Sequence, residues 1–192
     1  MLTGNNITAS SVLEEYKRSV FNDSANKEEI NDTVAFIREC VEKLEYISDG
    51  EWPFNNDINN KWHQSKLDLL INKLKHLHAM PLLLAASFSS ETNFKNILNE
   101  TTKFFIRCKM ISDLHASVFS KLYANLALKI HTERDRFDIS CLHKAFNDTL
   151  LDKDPDDVKF ISSIRGLNYQ KKGDNKPIKC LLMTIQENWN WL

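Results

Sequence analysis

An arginine and a histidine in the second half of the chain have the residue types and the spacing for acid–base chemistry on a phosphate. Arg136 and His143 are separated by the six residues FDISCL. A guanidinium can hold and neutralise a phosphate group, and an imidazole can carry a proton near neutral pH. The two side chains could therefore cleave a phosphodiester bond if the fold brings them to one site.

The spacing of Arg136 and His143 resembles the R-x4–6-H pattern of HEPN-type ribonucleases, which are also small helical bundles. The resemblance implies an RNA-cleaving toxin in which the arginine steadies the phosphate and the histidine moves the proton. The sequence departs from the family pattern at Phe137, since a polar residue usually follows the arginine. A solvated turn followed by a histidine on a helix surface is the alternative interpretation of the same residues.

A group of basic residues near the end of the sequence has the composition of a nucleic-acid contact. The cations surround Tyr169 in the predicted loop before the last helix, and they are Arg165, Lys171, Lys172, Lys176 and Lys179. Such a group can bind phosphates, but a merely solvated loop is the alternative. The acids that could neutralise the group lie close upstream and are Asp152, Asp154, Asp156 and Asp157. The exposed side of an earlier predicted helix adds Lys95, Lys103 and Arg107 as secondary candidates.

The sequence contains no motif of a self-sufficient metal or nucleotide site. His76 and His78 stand two residues apart, which on a helix turns them to opposite sides, and we expect surface or capping histidines. The metal motif HExxH, a paired CxxC and the phosphate-binding patterns GxxxxGK[ST] and GxGxxG do not occur. The four cysteines are far apart in sequence, and we expect free thiols in the core. No metal and no cofactor is therefore expected.

The elements that must position these side chains are predicted to be helices. Glycine and proline number four each in 192 residues, and this shortage favours helices over strands with their many tight turns. Apolar residues at steps of three and four predict an all-α bundle of about eight or nine helices without a sheet. The longest apolar run, from Met80 to Ala86, must be buried on nearly all sides, so other helices have to surround it.

The predicted helices form one domain over residues 1–192. First helices extend to about residue 48, a loop covers 49–60, a central bundle covers 61–151 and C-terminal helices cover 154–192. The first part includes a helix over 27–47 with an apolar stripe made of Ile30, Val34, Ile37, Val41 and Leu44. The central part includes a helix over 61–78 that Pro81 interrupts, and a two-faced helix over 91–110 that begins after SSE.

Charge and hydropathy bear on two classes of partner, nucleic acid and membrane. The formal net charge of −1 gives no global field that would attract nucleic acid, although a local basic patch remains compatible with it. No apolar segment reaches the roughly 18–20 residues that cross a bilayer. The first residues, MLTGNNITASS, lack the charged and apolar regions of a signal peptide, and we therefore expect a cytoplasmic protein without a membrane partner.

Several segments, taken in order, resemble the helical half of the GmrS-type restriction proteins, a family of bacterial anti-phage and modification-dependent endonucleases. The segments are ITASSVLEEYKRSVF, LHAMPLLLAASF, TTKFFIRCKMI, KLYANLALKI and PIKCLLMTIQENW. The second resembles the family's buried helix of the type YPLLLAL, and the last resembles its ending of the type YiLrriE. Their order and spacing agree over residues 2–192.

The resemblance implies a structural and interaction module of a GmrSD-like nuclease, which joins or positions catalytic domains and contacts DNA. Its partners would be other domains or subunits of that nuclease. The family's catalysis is attributed to a ParB-like domain with a DGQQR-type motif and to an HNH nuclease half, and neither motif occurs in this sequence. The resemblance therefore implies no catalytic residue in this chain. A plain helical adaptor that binds a partner is a further alternative.

Overall fold

A computed structural model describes most of the chain from residue 27 onward. The described residues are 27–54, 61–111, 114–115, 117–153, 157–173, 175, 177–179, 181–182 and 185. Their regular elements are all helices and none is a strand, which confirms the predicted all-α class. The part of the predicted first helices before residue 27 lies outside the described residues, as does Lys176.

The described part contains seven α-helices and four short helical turns of other kinds. The α-helices are α1 Lys27–Asp49, α2 Lys61–Asp68, α3 Met80–Ala86, α4 Glu91–Phe105, α5 Ser117–Glu133, α6 Ile139–Lys153 and α7 Asp157–Arg165. Wider π-helical turns follow α2 and α4 at Leu69–Lys73 and Ile106–Ile111. Tight 3-10 turns cover Leu77–Ala79 before α3 and Arg134–Arg136 after α5. Residues 177–179, 181–182 and 185 are also helical.

Helix α3 lies at the centre of the described bundle. It packs against α5, α1 and α4. Four of its seven residues, Leu82, Leu83, Ala85 and Ala86, are buried. A helix that is apolar on nearly all sides is stable only where neighbours cover each side. The prediction that other helices surround the run from Met80 to Ala86 is confirmed.

Helix α4 has the two faces that its sequence predicts. Ser90 caps it, because the Ser90 Oγ accepts a hydrogen bond of 3.3 Å from the backbone N–H of Asn93. The side chains of Phe94, Leu98 and Phe105 are buried at helical spacing. The opposite face carries lysines toward solvent, so α4 presents charge on one side and supports the core with the other.

The helix predicted over 61–78 ends early. Helix α2 ends at Asp68, the π turn continues it to Lys73, and Lys75 has φ of 57° in the left-handed region. Few residues other than glycine adopt that conformation without strain, and it ends the helix there. Pro81 does not interrupt a helix but stands in the first turn of α3, where its missing N–H is not needed.

The loop after α1 is held against α2 by Gly50. Gly50 has φ of 74°, and a Cβ there would lie 2.7 Å from the Asn72 Nδ2 and 2.9 Å from the Asp68 Cα. This close approach lets the following aromatics reach the core. Trp52 is buried, and the rings of Trp52 and Phe94 lie 5.0 Å apart in an edge-to-face arrangement. Phe54 is partly buried against the same core.

Candidate nucleic-acid interface

The strongest candidate site is the basic loop, defined as residues 165–179. Arg165 ends α7, and Lys171 and Lys172 form the turn that follows. All three side chains are exposed, as is Lys179 in the next helical segment. Tyr169 is 73% exposed, so its ring is available for stacking. The structure therefore presents most of the predicted basic group to solvent along one short stretch of chain.

Asn175 closes the basic loop from inside. Its side chain is 8% exposed, and its Oδ1 accepts a 2.9 Å hydrogen bond from the Gln170 N–H. Its Nδ2 donates to the carbonyl oxygens of Gln170 and Gly173 at 2.9 and 3.1 Å. Its own carbonyl accepts from the Lys179 N–H at 2.9 Å. One buried amide thus fixes the turn that carries Lys171 and the start of the helical segment after it.

The cations of the basic loop are not neutralised within the described part of the chain. Arg165, Lys171, Lys172 and Lys179 form no ion pair with any described residue. Asp157, one of the acids expected to neutralise them, instead accepts a 2.7 Å bond from the Arg107 guanidinium. Asp154 and Asp156 lie outside the described residues. No carboxylate among the described residues therefore takes up the positive charge of Arg165, Lys171, Lys172 and Lys179.

The secondary candidates on α4 differ in this respect, because each has a carboxylate partner. Lys95 Nζ lies 3.1 Å from Glu91 Oε1, and Lys103 Nζ lies 2.7 Å from Glu100 Oε1. Arg107 is bound by Asp157, and its guanidinium carbon stands 5.0 Å from the centre of the Phe160 ring. A phosphate would have to compete with these partners. The α4 cations are therefore weaker candidates than the basic loop.

Arg136 and His143 occupy different surroundings. Arg136 is exposed at the end of the 3-10 turn, whereas His143 lines a groove of about 310 Å³ between α4 and α6. Arg136 is not among the residues that line this groove. The nearest charged partner of His143 is Glu100, whose Oε2 lies 3.5 Å from the His143 Nε2. The predicted pair thus does not share the groove, and a carboxylate takes the place next to the histidine.

The groove combines an acid, a histidine and two cations over an apolar floor. Glu100 and Lys103 project from α4, Arg107 projects from the π turn that follows it, and His143 projects from α6. The floor is built by the stacked rings of Phe104 and Phe146, whose centres lie 4.1 Å apart. Sequence reasoning missed Glu100, although its spacing from Lys103 and Arg107 places all three on one helix face. Such a groove can hold an anion beside a proton carrier.

His76 is not a surface or capping histidine, and that prediction was wrong. The side chain is 2% exposed, stacks on the Phe105 ring with 3.7 Å between centres and lies 3.0 Å from the Tyr123 hydroxyl. Burial, reinforced by nearby His78, lowers the pKa of His76 to about 3. The helix ends before His76, at Lys75, so the side of a continuous helix predicted for His76 does not apply.

No protein-family model matches the sequence, and a search of curated proteins finds no significant match. Across the described ranges, no group of three or more His, Cys, Asp or Glu side chains is placed to hold a metal ion. No helix in this part of the chain combines the length and the apolar character needed to cross a membrane. The chemistry of the basic loop and of the groove is therefore the basis for assigning a function.

Proposed function

We propose that this chain is a non-catalytic helical module of a GmrSD-like restriction or anti-phage nuclease. In that role it joins or positions catalytic domains in the cytoplasm and contacts DNA through the basic loop. The observation that carries the proposal is the set of exposed cations, without an ion-pair partner among the described residues, around a turn closed by Asn175. The partners are other domains or subunits of the nuclease.

The charge and rigidity of the basic loop support a contact with phosphates. Each phosphate that a Lys or Arg neutralises releases condensed counterions and adds about −0.9 to the slope of log K against log salt. Because Asn175 already holds the loop in one shape, less conformational entropy is lost on binding than in a flexible tail. Exposed Tyr169 can add stacking on a base or a sugar. These contacts favour affinity for the nucleic-acid backbone over selection of a sequence.

The position of α3 supports the assignment to a GmrSD-like protein. The segment LHAMPLLLAASF carries the resemblance to the family's buried helix, and its residues Leu82, Leu83, Ala85 and Ala86 are buried at the centre of the bundle. A module that positions other domains needs a rigid core of this kind. The proposed family thus comes from the sequence resemblance, and the proposed contact with DNA comes from the basic loop.

A ribonuclease is the second candidate function, because His143 lines a groove together with Lys103 and Arg107. In this alternative His143 takes the proton from an RNA 2′-hydroxyl while Glu100 orients the imidazole. The 2′-oxygen forms a bond to the adjacent phosphorus, the bond to the 5′-oxygen breaks, and water protonates that leaving oxygen, which leaves a 2′,3′-cyclic phosphate. Lys103 and Arg107, which line the groove whereas Arg136 does not, hold the phosphate. The RNA supplies its own nucleophile, so no metal is needed for the step.

Titration of fluorescent duplex DNA with the purified chain, at two salt concentrations, tests the first proposal. We expect saturable binding that weakens as salt increases, without hydrolysis of DNA or ATP by the chain alone. Binding that is absent at both salt concentrations would leave the plain helical adaptor as the better description. Metal-independent cleavage of RNA would favour the ribonuclease instead.

A further inference from the structure

Helix α1 turns a narrow line of side chains toward the bundle. Ile47 is its one buried residue among those described. The ring of Phe36 lies 5.2 Å from that of Phe88, and Lys43 Nζ stands 5.4 Å from the centre of the Phe54 ring. Phe36, Lys43 and Ile47 follow one another at helical spacing on a single side of α1. The core contact of α1 is therefore made by these residues and not by its predicted apolar stripe.

The predicted stripe lies beside that line and remains largely open; we name it the α1 seam. Its members are Ile30, Val34, Ile37, Val41 and Leu44. Val34 is 55% exposed, Val41 49% and Leu44 38%. Single exposed apolar side chains are common on protein surfaces, but a row of them along one helix indicates a contact site.

The spacing of the α1 seam indicates that the partner at this contact site is a helix. The residues alternate in steps of four and three, which is the heptad pattern of paired helices. Val34 and Val41 occupy the a positions, and Ile30, Ile37 and Leu44 occupy the d positions. Isoleucine at two of the three d positions, with valine at a, indicates helical pairing without setting how many helices associate. The single row of exposed side chains, Val34, Val41 and Leu44, offers one partner helix a surface to pack on.

Charge indicates the chemistry of that helix. Helix α1 contains seven acidic and three basic residues, so its formal charge is −4. Arg38 is paired with Glu42 at 3.0 Å, but Glu45, Asp49 and Glu51 form no ion pair with a described residue. A groove of about 310 Å³ at the end of the seam is lined by Glu42, Glu45, Tyr46, Asp49 and Glu51. A second copy of so acidic a helix would be repelled, whereas a basic helix would be attracted.

We propose that the α1 seam binds a basic amphipathic helix of a partner protein. The apolar side of that helix covers Val34, Val41 and Leu44, and its lysine or arginine side chains enter the acidic groove beside Glu45 and Asp49. The proposal is independent of the basic loop, which lies in the last part of the sequence and has the opposite charge. It gives an interaction module a protein-binding surface in addition to the nucleic-acid contact.

The test uses the full chain and a synthetic peptide helix with leucine at the a and d positions and lysine at the flanking positions. The matched control peptide has the same composition but scrambled leucine spacing. We expect salt-sensitive binding of the first peptide and at least roughly tenfold weaker binding of the control, since it cannot present one apolar face. If the two peptides bind equally well, the net charge of the peptide alone explains the binding, and the proposal is wrong.

Two variants separate the apolar contribution from the charged one. Val34→Asn combined with Val41→Asn is expected to weaken binding by roughly tenfold, because two apolar side chains leave the interface without a change in charge. Glu45→Gln combined with Asp49→Asn should reduce the salt dependence. Val158→Asn, at a residue that is 75% exposed outside the seam, is the control and should bind as the parent chain does.

Other occupants of the seam would give different results. If the parent chain sediments as a dimer and the valine double variant as a monomer, a second copy occupies the seam and the proposal is wrong. If hydroxyl-radical footprinting shows Val41 and Leu44 protected in the monomer alone, the chain covers the seam itself, and the proposal is equally wrong. Circular dichroism of each variant confirms that a loss of binding does not come from unfolding.

Discussion

The Nε2 atom of His76 lies 3.0 Å from the hydroxyl oxygen of Tyr123, and both side chains are buried. The bond joins the segment before α3 to the middle of α5. Tyr123 is fully buried, and this burial raises its pKa well above its usual value. Each polar group thus satisfies the other inside the core, which removes the cost of burying either one alone.

Acid should destabilise the protein through His76. In the unfolded chain His76 takes up a proton below its ordinary pKa of 6.5, whereas the folded chain binds that proton only near its pKa of about 3. Because the unfolded state binds more protons in this window, the free energy of unfolding falls as pH decreases through it. The contribution of one such group is about 1.4 kcal/mol per pH unit. Urea denaturation at a series of pH values measures it.

A non-titrating variant is the control for that prediction. His76→Gln keeps an amide that can bond to Tyr123 but removes the ionisation. We expect the variant to be less stable near neutral pH and to lose stability less steeply in acid. If the free energy of unfolding falls with decreasing pH at the same rate in the parent chain and in the variant, His76 does not determine the acid response.

The second prediction concerns the backbone at Gly50. Gly50→Ala should lower the free energy of unfolding by at least about 1 kcal/mol, since alanine is strained at positive φ. Its Cβ would also lie 2.9 Å from the Asp68 Cα, where backbone cannot give way easily. Gly166→Ala is the matched control, because its Cβ would meet nothing closer than 3.5 Å. Thermal melts measure the stability of both variants. An equal loss of stability in the two would contradict the role assigned to Gly50.

The third prediction separates the two groups of cations. Lys171→Ala with Lys172→Ala should weaken DNA binding and reduce the steepness of its salt dependence by roughly 1.8, the contribution of two phosphate contacts. Lys95→Ala with Lys103→Ala removes the same charge but affects lysines that already bind Glu91 and Glu100. A titration of each variant at several salt concentrations should show the larger effect in the first. If the second pair matters more, the interface lies on α4.

Sequence reasoning succeeded where local rules decide the structure. Helix α4 begins where predicted, because an apolar period of 3.6 and the Ser90 cap are local signals. It failed after Lys73, since the apolar residues Leu74 and Leu77 continue the helical pattern and no glycine or proline marks the break at Lys75. Local patterns cannot show a helix end that packing imposes.

The same rule holds for the candidate sites: those formed by sequence neighbours could be predicted, and those formed by residues of different helices could not. The basic loop could be recognised from composition, because its members are neighbours in the sequence. The proximity of Glu100 to His143 could not, since the two residues belong to different helices and meet only after packing. Spacing also identified the α1 seam as apolar, but only the structure distinguishes it from the side that contacts the core through Phe36 and Ile47.

The fourth prediction concerns the shape of the basic loop rather than its charge. Asn175→Ala removes the side-chain bonds to Gln170 and Gly173 and leaves every cation in place. We expect DNA affinity to fall severalfold while the salt dependence stays close to that of the parent, because the loop loses order and not charge. Fluorescence anisotropy with labelled duplex DNA measures both quantities. Unchanged affinity would mean that charge alone determines binding.

The fifth prediction distinguishes the two functions. If the chain is a non-catalytic module, His143→Ala leaves growth of expressing cells and DNA binding unchanged, since His143 is half exposed and its partner Glu100 keeps a bond to Lys103. If it is a ribonuclease, expression of the parent chain is toxic and the substitution removes the toxicity. Growth curves of cells expressing either form, with Arg136→Ala as the matched variant, decide between the two.

At the π turns Leu69–Lys73 and Ile106–Ile111, the direction of the following chain depends more on the number of residues than on their identity. In the first, the Leu74 N–H bonds five residues back to the Leu69 carbonyl at 2.8 Å, so the turn holds one residue more than an α-helix does. Deleting a residue there would restore regular winding and rotate all that follows by about 100°. Substitutions at these turns change packing locally, whereas an insertion or a deletion would redirect the chain on both sides of α3.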